Sequence, residues 1–380
     1  MKKIKLGDVC KIIKGEYITQ KNSNPGKYPV VLGGTQPAYF IDKFNHVGEA
    51  IVISRSGASA GYVSFWNEPI FVTDGFLIET NDEVDYKFIY NFLKYRQKKI
   101  TGSKKGTTIP HITPRTIFDI EIDLPPLEIQ KKIGNFLYSL DEKISLNKKI
   151  NATLEAMAKT LYDYWFVQFD FPNEHGRPYK SSGGKMVYSS ELGREIPKGW
   201  TVATLGDLIT ENATPFNSQT AEPTIDLSVM PSASISLDRL NISSMFSINL
   251  FKMTEGDILF GSIRPYLKKA GIAPCDGVVV GTVHSYRAKK ESDYTFALFT
   301  ICHDNFFDYA VKVSTGTRMP IISSESLLSY KVAYSENIAK IFNMPDLRRT
   351  ICKNVQESQR LAELRDWLLP LLMNGQVNCK

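Results

Sequence analysis

Two long stretches of the chain place apolar residues at alternating steps of four and three, with charged residues between them. One stretch lies within residues 126–166 and the other within residues 336–380. This spacing puts the apolar side chains on one face of a helix and is typical of a coiled coil. The first seam consists of Ile133, Leu137, Leu140, Ile144, Asn147, Asn151, Leu154, Ala158, Leu161 and Trp165. A helix over 126–166 would be roughly 60 Å long at about 1.5 Å per residue, so we expect it to act as a spacer.

The second helical pattern matches the first at a constant offset. The matched pairs are Leu140 with Leu347, Ile144 with Ile351, Asn147 with Asn354, Leu154 with Leu361, and Leu161 with Leu368. A polar residue in an apolar seam costs stability but fixes the register of two helices. The repeated asparagine therefore predicts that the two helices pair with one another through these residues. The alternative is a pair of unrelated amphipathic helices.

The regions before each helix contain short runs of β-branched and aromatic residues separated by glycine, proline and asparagine. Such runs predict β-strands, so we expect residues 1–125 and 197–335 each to form a mixed α/β domain. Two motifs recur in the same order, Leu6-Gly7-Asp8-Val9 as Leu205-Gly206-Asp207-Leu208, and Gly106-Thr107-Thr108-Ile109-Pro110 as Gly316-Thr317-Arg318-Met319-Pro320. The sequence thus predicts a duplication, with two repeated α+β domains separated by two long coiled-coil helices. Residues 167–196 are rich in turn formers, and we expect an exposed linker there.

The composition is that of a globular protein, with 380 residues of which 43% are hydrophobic and 23% charged, enough for two or three domains. No apolar run approaches the ~20 residues needed to cross a bilayer, and no signal-peptide pattern follows the first lysines, so we expect a cytoplasmic protein. The 5 cysteines lie far apart and offer neither a disulfide framework nor paired zinc-ligand spacing. We expect no metal site.

Catalytic motifs are missing from the sequence. The chain has no Gly-x-x-x-x-Gly-Lys-Ser/Thr phosphate loop, no Gly-x-Ser-x-Gly elbow and no His-x-x-x-His pair. Leu124-Pro125-Pro126-Leu127 has the prolines of a DNA aminomethyltransferase loop but lacks the amide or carboxylate that would hold the target amine. We therefore expect no catalytic residue in this chain.

The net charge of +6 is mild, but one segment concentrates basic residues. It contains Lys94, Arg96, Lys98, Lys99, Lys104 and Lys105, with no acid between them. The segment also carries aromatic residues and runs directly into Gly106-Thr107-Thr108. Cations followed by small hydrogen-bond donors suit a phosphate backbone. The alternative is a solvated helix end and loop.

Several longer motifs are more specific than these patterns. They are Leu124-Pro125-Pro126-Leu127-Glu128-Ile129-Gln130, Tyr164-Trp165-Phe166-Val167-Gln168-Phe169-Asp170-Phe171, Pro178-Tyr179-Lys180-Ser181-Ser182-Gly183-Gly184-Lys185-Met186, Ile196-Pro197-Lys198-Gly199-Trp200 and Leu364-Arg365-Asp366-Trp367-Leu368-Leu369-Pro370. With them, essentially the whole chain resembles the specificity subunits of type I restriction-modification systems. The second half departs from the pattern, because Tyr334-Ser335-Glu336 replaces the Pro-Pro helix start and Pro345 interrupts the early turns. A kinked or two-piece second helix is therefore expected.

The resemblance implies two target-recognition domains on an antiparallel pair of helices, related by a pseudo-twofold axis. Each domain would read one half of a bipartite site in double-stranded DNA, and because the repeats differ in sequence the site would be asymmetric. The helices would recruit two adenine methyltransferase subunits and, through them, motor-nuclease subunits. S-Adenosylmethionine, ATP and Mg²⁺ would then bind to the partner subunits and none to this chain. The runner-up interpretation is a non-catalytic coiled-coil scaffold that binds protein or sugar ligands without DNA.

Basic and small polar residues in equivalent loops of the two repeats are the candidates for DNA contact. Those in the first domain are Arg55, Ser56, Ser59, Lys104, Lys105, Thr107, Thr108 and His111. Those in the second domain are Arg264, Tyr266, Lys268, Lys269, Thr315, Thr317 and Arg318. Arginine can bind guanine through two hydrogen bonds, whereas lysine and threonine more often contact phosphate. For the neighbouring glycines, the alternative is that they only permit tight turns.

Overall fold

The computed structural model describes residues 2–34, 36–106, 110–218 and 220–377. Contacts between residues divide the chain into two compact units, Met1–Glu142 with Leu361–Lys380, and Lys143–Arg360. Each unit holds one mixed α/β domain together with part of each long helix. Within the described ranges, no helix combines the length and the apolar character needed to cross a membrane.

The first unit contains the first α/β domain. Its strands are β1 (Lys2–Lys5), β2 (Cys10–Lys14), β3 (Pro25–Val31), β4 (Phe40–Ile41), β5 (Ala50–Ser54), β6 (Val63–Trp66), β7 (Phe71–Val72), β8 (Gly75–Thr80) and β9 (Glu121–Leu124). Its helices are α1 (Tyr86–Tyr95), α2 (Gln97–Gly102) and α3 (Pro114–Phe118). An antiparallel sheet has the order β2-β8-β5-β6, and a smaller sheet has the order β4-β3-β7, in which β3 and β7 run parallel. Strand β1 pairs with β9.

Strand β5 lies inside the larger sheet of this domain and is buried along its whole length. Its apolar run of Ala, Ile, Val and Ile is typical of a strand that is covered on both faces. Helix α1 packs into the same core through Phe88 and Phe92. Asp85 caps this helix by accepting a hydrogen bond from the Phe88 amide at 2.8 Å, which satisfies one otherwise free donor. The packed core thus fixes the end of β5, where the chain leaves the sheet.

The first long helix, α4 (Leu127–Tyr162), is unbroken over 36 residues and continues as a π-helical turn at Asp163–Val167. Pro125 and Pro126 directly precede it, and the buried Gln130 side chain donates to the Pro125 carbonyl at 2.9 Å. Proline is favoured where a helix starts because the first amides have no helical partner. The heptad pattern thus lies on one continuous helix.

The second unit contains the second α/β domain. Its strands are β10 (Met186–Ser189), β11 (Arg194–Pro197), β12 (Thr201–Thr204), β13 (Ile209–Glu211), β14 (Pro223–Ile225), β15 (Asn241–Ile242), β16 (Leu250–Met253), β17 (Ile258–Gly261), β18 (Ala270–Ile272), β19 (Gly277–Val280), β20 (Val283–Ala288) and β21 (Lys331–Tyr334). Its short helices are α5 (Leu205–Leu208), α6 (Tyr294–Cys302), α7 (Asp304–Val313) and α8 (Ser324–Leu328).

The sheets of the second domain repeat those of the first. The order β13-β20-β17-β18 corresponds to β2-β8-β5-β6, and the parallel pair β14 and β19 corresponds to β3 and β7. Strand β12 pairs with β21 as β1 pairs with β9. The predicted fold of two repeated α+β domains with long helices is confirmed.

The second helical stretch consists of two pieces, α9 (Glu336–Phe342) and α10 (Pro345–Met373). Asn343 is extended between them, with φ −65° and ψ 125°. Pro345 lacks the amide that would continue a helix, and a proline also disfavours the helical conformation in the residue before it, here Met344. Pro345 therefore starts a new helix, and the second stretch is a two-piece helix.

Helices α4 and α10 pair antiparallel in the second unit through their asparagines. Asn147 Nδ2 donates to Glu357 Oε2 at 2.8 Å and lies 3.4 Å from the Asn354 carbonyl oxygen. Asn354 Nδ2 donates to Asn151 Oδ1 at 2.8 Å. Among the other residues predicted to pair the helices, Leu140, Leu347 and Ile351 are buried, and Ile144, Leu154, Leu361 and Leu368 are half-buried.

The predicted seam is wrong at Leu161, which is 38% exposed, whereas the next residue, Tyr162, is 6% exposed. The last turns of α4 pack on the second α/β domain. The Tyr162 hydroxyl lies 2.9 Å from Thr300 Oγ1, and the rings of Phe166 and Phe296 are 4.6 Å apart. Burial against this domain follows four-residue steps, which turn Leu161 outward.

The predicted linker at residues 167–196 is mostly exposed, but it also contains regular structure and two buried aromatic residues. The segment includes β10, which pairs with β11 as a hairpin, and Phe169 and Phe171 are buried, whereas Tyr188 is 70% exposed. Phe169 and Phe171 pack on Trp200, with ring centroids 5.4 and 5.1 Å apart. The turn-forming residues and balanced charge of the segment do not indicate this burial, because Phe169 and Phe171 pack on Trp200, which lies outside the segment.

Candidate nucleic-acid interface

Two loops of the first domain meet where β5 leaves the sheet, and we call residues 55–62 and 104–112 the first loop pair. The Ile112 amide donates to the Arg55 carbonyl at 3.0 Å, and the Gly57 amide donates to the Pro110 carbonyl at 2.9 Å. Lys105 and His111 exchange two backbone hydrogen bonds, each of 2.9 Å. The structure therefore brings both groups of first-domain candidates into one site. Residues 107–109, including the candidates Thr107 and Thr108, lie outside the described residues.

An acidic residue that the sequence analysis missed organises the first loop pair. Arg55 Nε lies 3.0 Å from Asp74 Oδ1, and the Ser56 hydroxyl donates to the other carboxylate oxygen of Asp74. Asp74 sits in the turn between β7 and β8, next to the end of β5. No sequence motif marks an acid at such a turn, so only the sheet order reveals it. Asp74 thus holds the Arg55 guanidinium in a defined position.

The remaining candidates of the first loop pair differ in exposure. Lys105 and His111 are exposed, whereas Lys104 and Ser59 are half-buried. Lys104 Nζ donates to the Ala58 carbonyl at 2.7 Å, which links the two loops. The side chains of Lys105 and His111 are thus accessible to a ligand.

The basic run before this loop pair divides into two groups. Lys94 Nζ lies 4.9 Å from the centre of the Tyr62 ring, and the Arg96 guanidinium lies 5.0 Å from that of Tyr95. Burial lowers the pKa of Lys94 from its usual value. Lys98 and Lys99 are exposed. Lys94 and Arg96 therefore contribute to packing, and the exposed lysines carry the charge that faces solvent.

The second domain forms the same arrangement with residues 262–269 and 314–322, which we call the second loop pair. The Ile322 amide donates to the Ser262 carbonyl at 3.0 Å, and the Arg264 amide donates to the Pro320 carbonyl at 2.8 Å. Thr315 and Ile321 exchange two backbone hydrogen bonds of 2.9 Å. These are the four backbone bonds of the first loop pair, so the two sites are structurally equivalent while their side chains differ.

Arg264 occupies the position that Gly57 holds in the first loop pair. Both have left-handed backbone conformations, with φ 82° at Gly57 and φ 53° at Arg264. This conformation is easy for glycine but costs a residue with a side chain about 1–2 kcal/mol. Such strain persists where the surrounding structure holds it, and it clusters at functional sites.

The acid that restrains Arg55 has no counterpart at the second loop pair. The Arg55 amide donates to the Asp74 carbonyl at 3.2 Å, and the equivalent Ser262 amide donates to the Thr282 carbonyl at 2.9 Å. Threonine therefore stands where the first domain has aspartate. Arg264 is exposed, and its guanidinium has no ion pair or hydrogen bond within the described part of the chain. It is available to bind a ligand directly.

The other candidates of the second loop pair fall into two sets. Tyr266 is 53% exposed, and Thr315, Thr317 and Arg318 in residues 314–322 are also exposed. Lys268 Nζ is 2.7 Å from Asp304 Oδ1, and this hydrogen bond raises the pKa of Lys268 above its usual value. Lys269 Nζ donates to the Leu227 carbonyl. The two lysines thus brace the loop.

The sequence of this chain is similar to those of known proteins. The family model of the type I restriction modification DNA specificity domain matches residues 1–156. Over 144 residues the chain is 30% identical to an N-terminal piece of a protein provisionally named as a type I specificity subunit in Mycoplasma pneumoniae, covering 76% of that protein and 36% of this chain. This chain belongs to the type I specificity subunit family. It is also 27% identical over 350 residues to a type I restriction enzyme specificity subunit of Methanocaldococcus jannaschii, covering 86% of this chain and 77% of the relative.

A solved structure shares the fold of this specificity subunit over nearly its whole length. The crystal structure of a type I restriction-modification S subunit from M. genitalium superposes with a TM-score of 0.63, covering 98% of this chain and 96% of that one. The two sequences are 20% identical. The likeness supports the duplicated α/β architecture.

Proposed function

We propose that this chain is the DNA-recognition subunit of a type I restriction-modification complex, and that each loop pair reads one half of an asymmetric bipartite DNA site. The observation that carries the proposal is the duplicated loop pair, which has the same backbone bonds in both domains and different side chains. Two copies of one scaffold would bind the DNA backbone in the same orientation. Different side chains on that scaffold would select different bases.

The two loop pairs would recognise bases through different chemistry. Arg264 has a free guanidinium, which can donate two parallel hydrogen bonds to the O6 and N7 atoms of guanine. Arg55 shares its guanidinium with Asp74, whose side chain is 24% exposed. An arginine and carboxylate pair offers donors and acceptors together, so the first half-site would be read by a composite group. Exposed Lys98, Lys99 and Lys105 would contact phosphates and add affinity without selecting bases.

The helices would recruit the methyltransferase subunits. Within the second unit, α4 carries a second apolar stripe on its outer face, where Leu146, Ile150, Met157 and Leu161 are 50%, 37%, 60% and 38% exposed. Their spacing of four, seven and four residues follows the heptad of a coiled coil. An exposed apolar patch of this kind marks a protein interaction site. We assign it to a helix of a partner subunit.

The chemistry would belong to the partners of this chain. Two methyltransferase subunits would bind S-adenosylmethionine and modify adenine, and motor-nuclease subunits would bring ATP and Mg²⁺. This chain would contribute no catalytic group and would act on cytoplasmic DNA.

The proposal is tested by purifying the chain with its methyltransferase subunits and measuring DNA binding and adenine methylation. The complex is expected to methylate one bipartite motif, and the chain alone is expected to methylate nothing. Binding should weaken steeply with salt because lysines release counterions from phosphates. A complex that assembles but binds all DNA sequences equally, or binds none, contradicts the proposal and favours a DNA-free scaffold.

A further inference from the structure

The second domain has a segment that the first domain lacks. Strands β3 and β4 of the first domain are joined by residues 32–39, whereas the equivalent β14 and β15 are joined by the longer stretch 226–240. Within this stretch, residues 231–238 approach both α4 and the second loop pair. We call residues 231–238 the bridging segment.

Two charged side chains of α4 hold the bridging segment. Glu155 Oε1 accepts a hydrogen bond from the Ile235 amide at 2.9 Å, and its Oε2 accepts one from the Ser234 hydroxyl at 3.0 Å. Lys148 Nζ lies 2.7 Å from Asp238 Oδ2. Glu155 is half-buried, and burial raises its pKa while the two donors lower it. The carboxylate is thus removed from most of the solvent and bonded to two groups of the bridging segment.

The same segment holds the second loop pair. The Ala233 amide donates to the Lys268 carbonyl at 2.8 Å, and the Ile272 amide donates to the Ile235 carbonyl at 2.9 Å. Lys268 closes the loop that begins beside Arg264. A continuous path of hydrogen bonds therefore runs from Glu155 on α4, through residues 233–235, to the loop that presents Arg264.

Backbone strain concentrates on this path. Ala233, Arg264 and Lys268 have left-handed backbones, with φ of 53°, 53° and 51°. Side chains disfavour this conformation, and it persists only where neighbouring bonds maintain it. Ala233 and Lys268 are joined directly by the 2.8 Å bond. Loosening the bridging segment would therefore release the loop toward more favourable backbone conformations.

We infer that Glu155 is a positioning residue that fixes the second loop pair against α4 and thereby sets how strictly the second half-site is read. The inference rests on the proposed function. Glu155 lies on the long helix and would touch no base, so it would act only through the bridging segment. By the offset that relates the two helices, Glu155 of α4 corresponds to Ala362 of α10, which has no carboxylate, so this restraint belongs to the second half-site alone.

The test compares Glu155→Ala with Glu155→Gln in the complete complex with the methyltransferase subunits. Glutamine has nearly the same shape, and it can accept from the Ile235 amide through its oxygen while donating to the Ser234 hydroxyl oxygen. Alanine removes both bonds. Glu363→Ala serves as a matched control, because Glu363 is an exposed carboxylate on α10 with no hydrogen bond or ion pair within the described residues. Ser234→Ala removes one of the two bonds.

The readout is the ratio of affinities for cognate DNA and for DNA with one base pair changed, measured separately in each half-site. A single mismatch costs a reader roughly tenfold in affinity or more. Glu155→Ala is expected to lose most of this ratio in the second half-site and to keep it in the first. Ser234→Ala should show a smaller loss, and Glu155→Gln and Glu363→Ala should retain both ratios.

The inference is overturned if Glu155→Ala keeps its second half-site ratio, even if its thermal stability falls, because Glu155 would then only stabilise the fold. It is also overturned if both ratios fall equally. If Glu155→Ala does not fold, Ser234→Ala decides, since an unchanged second ratio contradicts the inference and a selective loss supports it. A wild-type complex that discriminates at neither half-site would instead refute the proposed function.

Discussion

Replacing Arg264 by glycine should abolish reading of the second half-site without destabilising the protein. The left-handed backbone costs Arg264 about 1–2 kcal/mol, which glycine would recover. Glycine also loses about 0.5–1 kcal/mol more conformational entropy on folding. The net effect on the free energy of unfolding is therefore between about zero and 1.5 kcal/mol in favour of glycine. Arg264 is exposed, so its side chain contributes little packing that could be lost.

Arg264→Gly should weaken DNA recognition by more free energy than it adds to the stability of the fold. A guanidinium bonded to guanine through two hydrogen bonds contributes about 1–3 kcal/mol of discrimination. Arg264→Ala removes the same bonds but keeps the strained backbone, so it should lose recognition equally and be less stable than Arg264→Gly. Thermal unfolding of both variants, together with sequencing of methylated adenines, measures the two effects separately.

Arg55→Ala is the matched control, because Arg55 lies in the equivalent loop of the first domain. It should alter the first half of the methylated motif only. The reasoning is refuted if Arg264→Gly leaves the second half of the motif and the DNA affinity unchanged. It is also refuted if Arg264→Gly unfolds at a clearly lower temperature than Arg264→Ala, since the backbone would then not be strained.

Three further predictions concern the helices and the phosphate contacts. Leu140→Asp places a charge at a buried seam position and should cost about 2–4 kcal/mol of stability. Met157→Asp on the exposed stripe should leave stability unchanged and weaken co-purification with the methyltransferase. Equal effects of the two variants in both assays would contradict the assignment of the two helix faces. Asn147→Leu should raise the unfolding temperature, because the buried Asn147 Oδ1 has no hydrogen-bond partner within the described residues. It should also loosen the helix register, and with it the spacing between the two halves of the methylated motif. A clear fall in stability would argue against this role. Lys105→Ala removes an exposed charge and should weaken binding to all DNA sequences and reduce the salt dependence by about one unit of slope. A change in the methylated motif instead would show that Lys105 contacts bases.

The helices and the duplication were predictable because their signals are periodic and local. The heptad spacing and the repeated Asn147 and Asn354 identify α4 and α10 without any knowledge of the domains. The seam failed at Leu161 because the last turns of α4 pack on the second α/β domain, including Thr300 and Phe296. Contacts between residues so far apart in the sequence produce no periodic pattern of apolar residues.

The site was partly predictable because its backbone is formed by local motifs that occur in both repeats. Repeated motifs located the backbone of both loop pairs, since a duplicated scaffold preserves its turns. The Asp74 carboxylate was missed because it reaches Arg55 only through the order of strands in the sheet. The strain at Arg264 was also hidden, because its left-handed backbone, with φ 53°, is a feature of the folded loop that an arginine in the sequence does not indicate.

Exchanging residues 1–125 for the equivalent domain of a related specificity subunit tests the central claim most directly. The exchanged chain is expressed with its methyltransferase subunits, and modified adenines are sequenced across the genome. If each domain reads its own half-site, one half of the methylated motif changes and the other half stays intact. A motif that changes in both halves, or that does not change at all, would contradict the account.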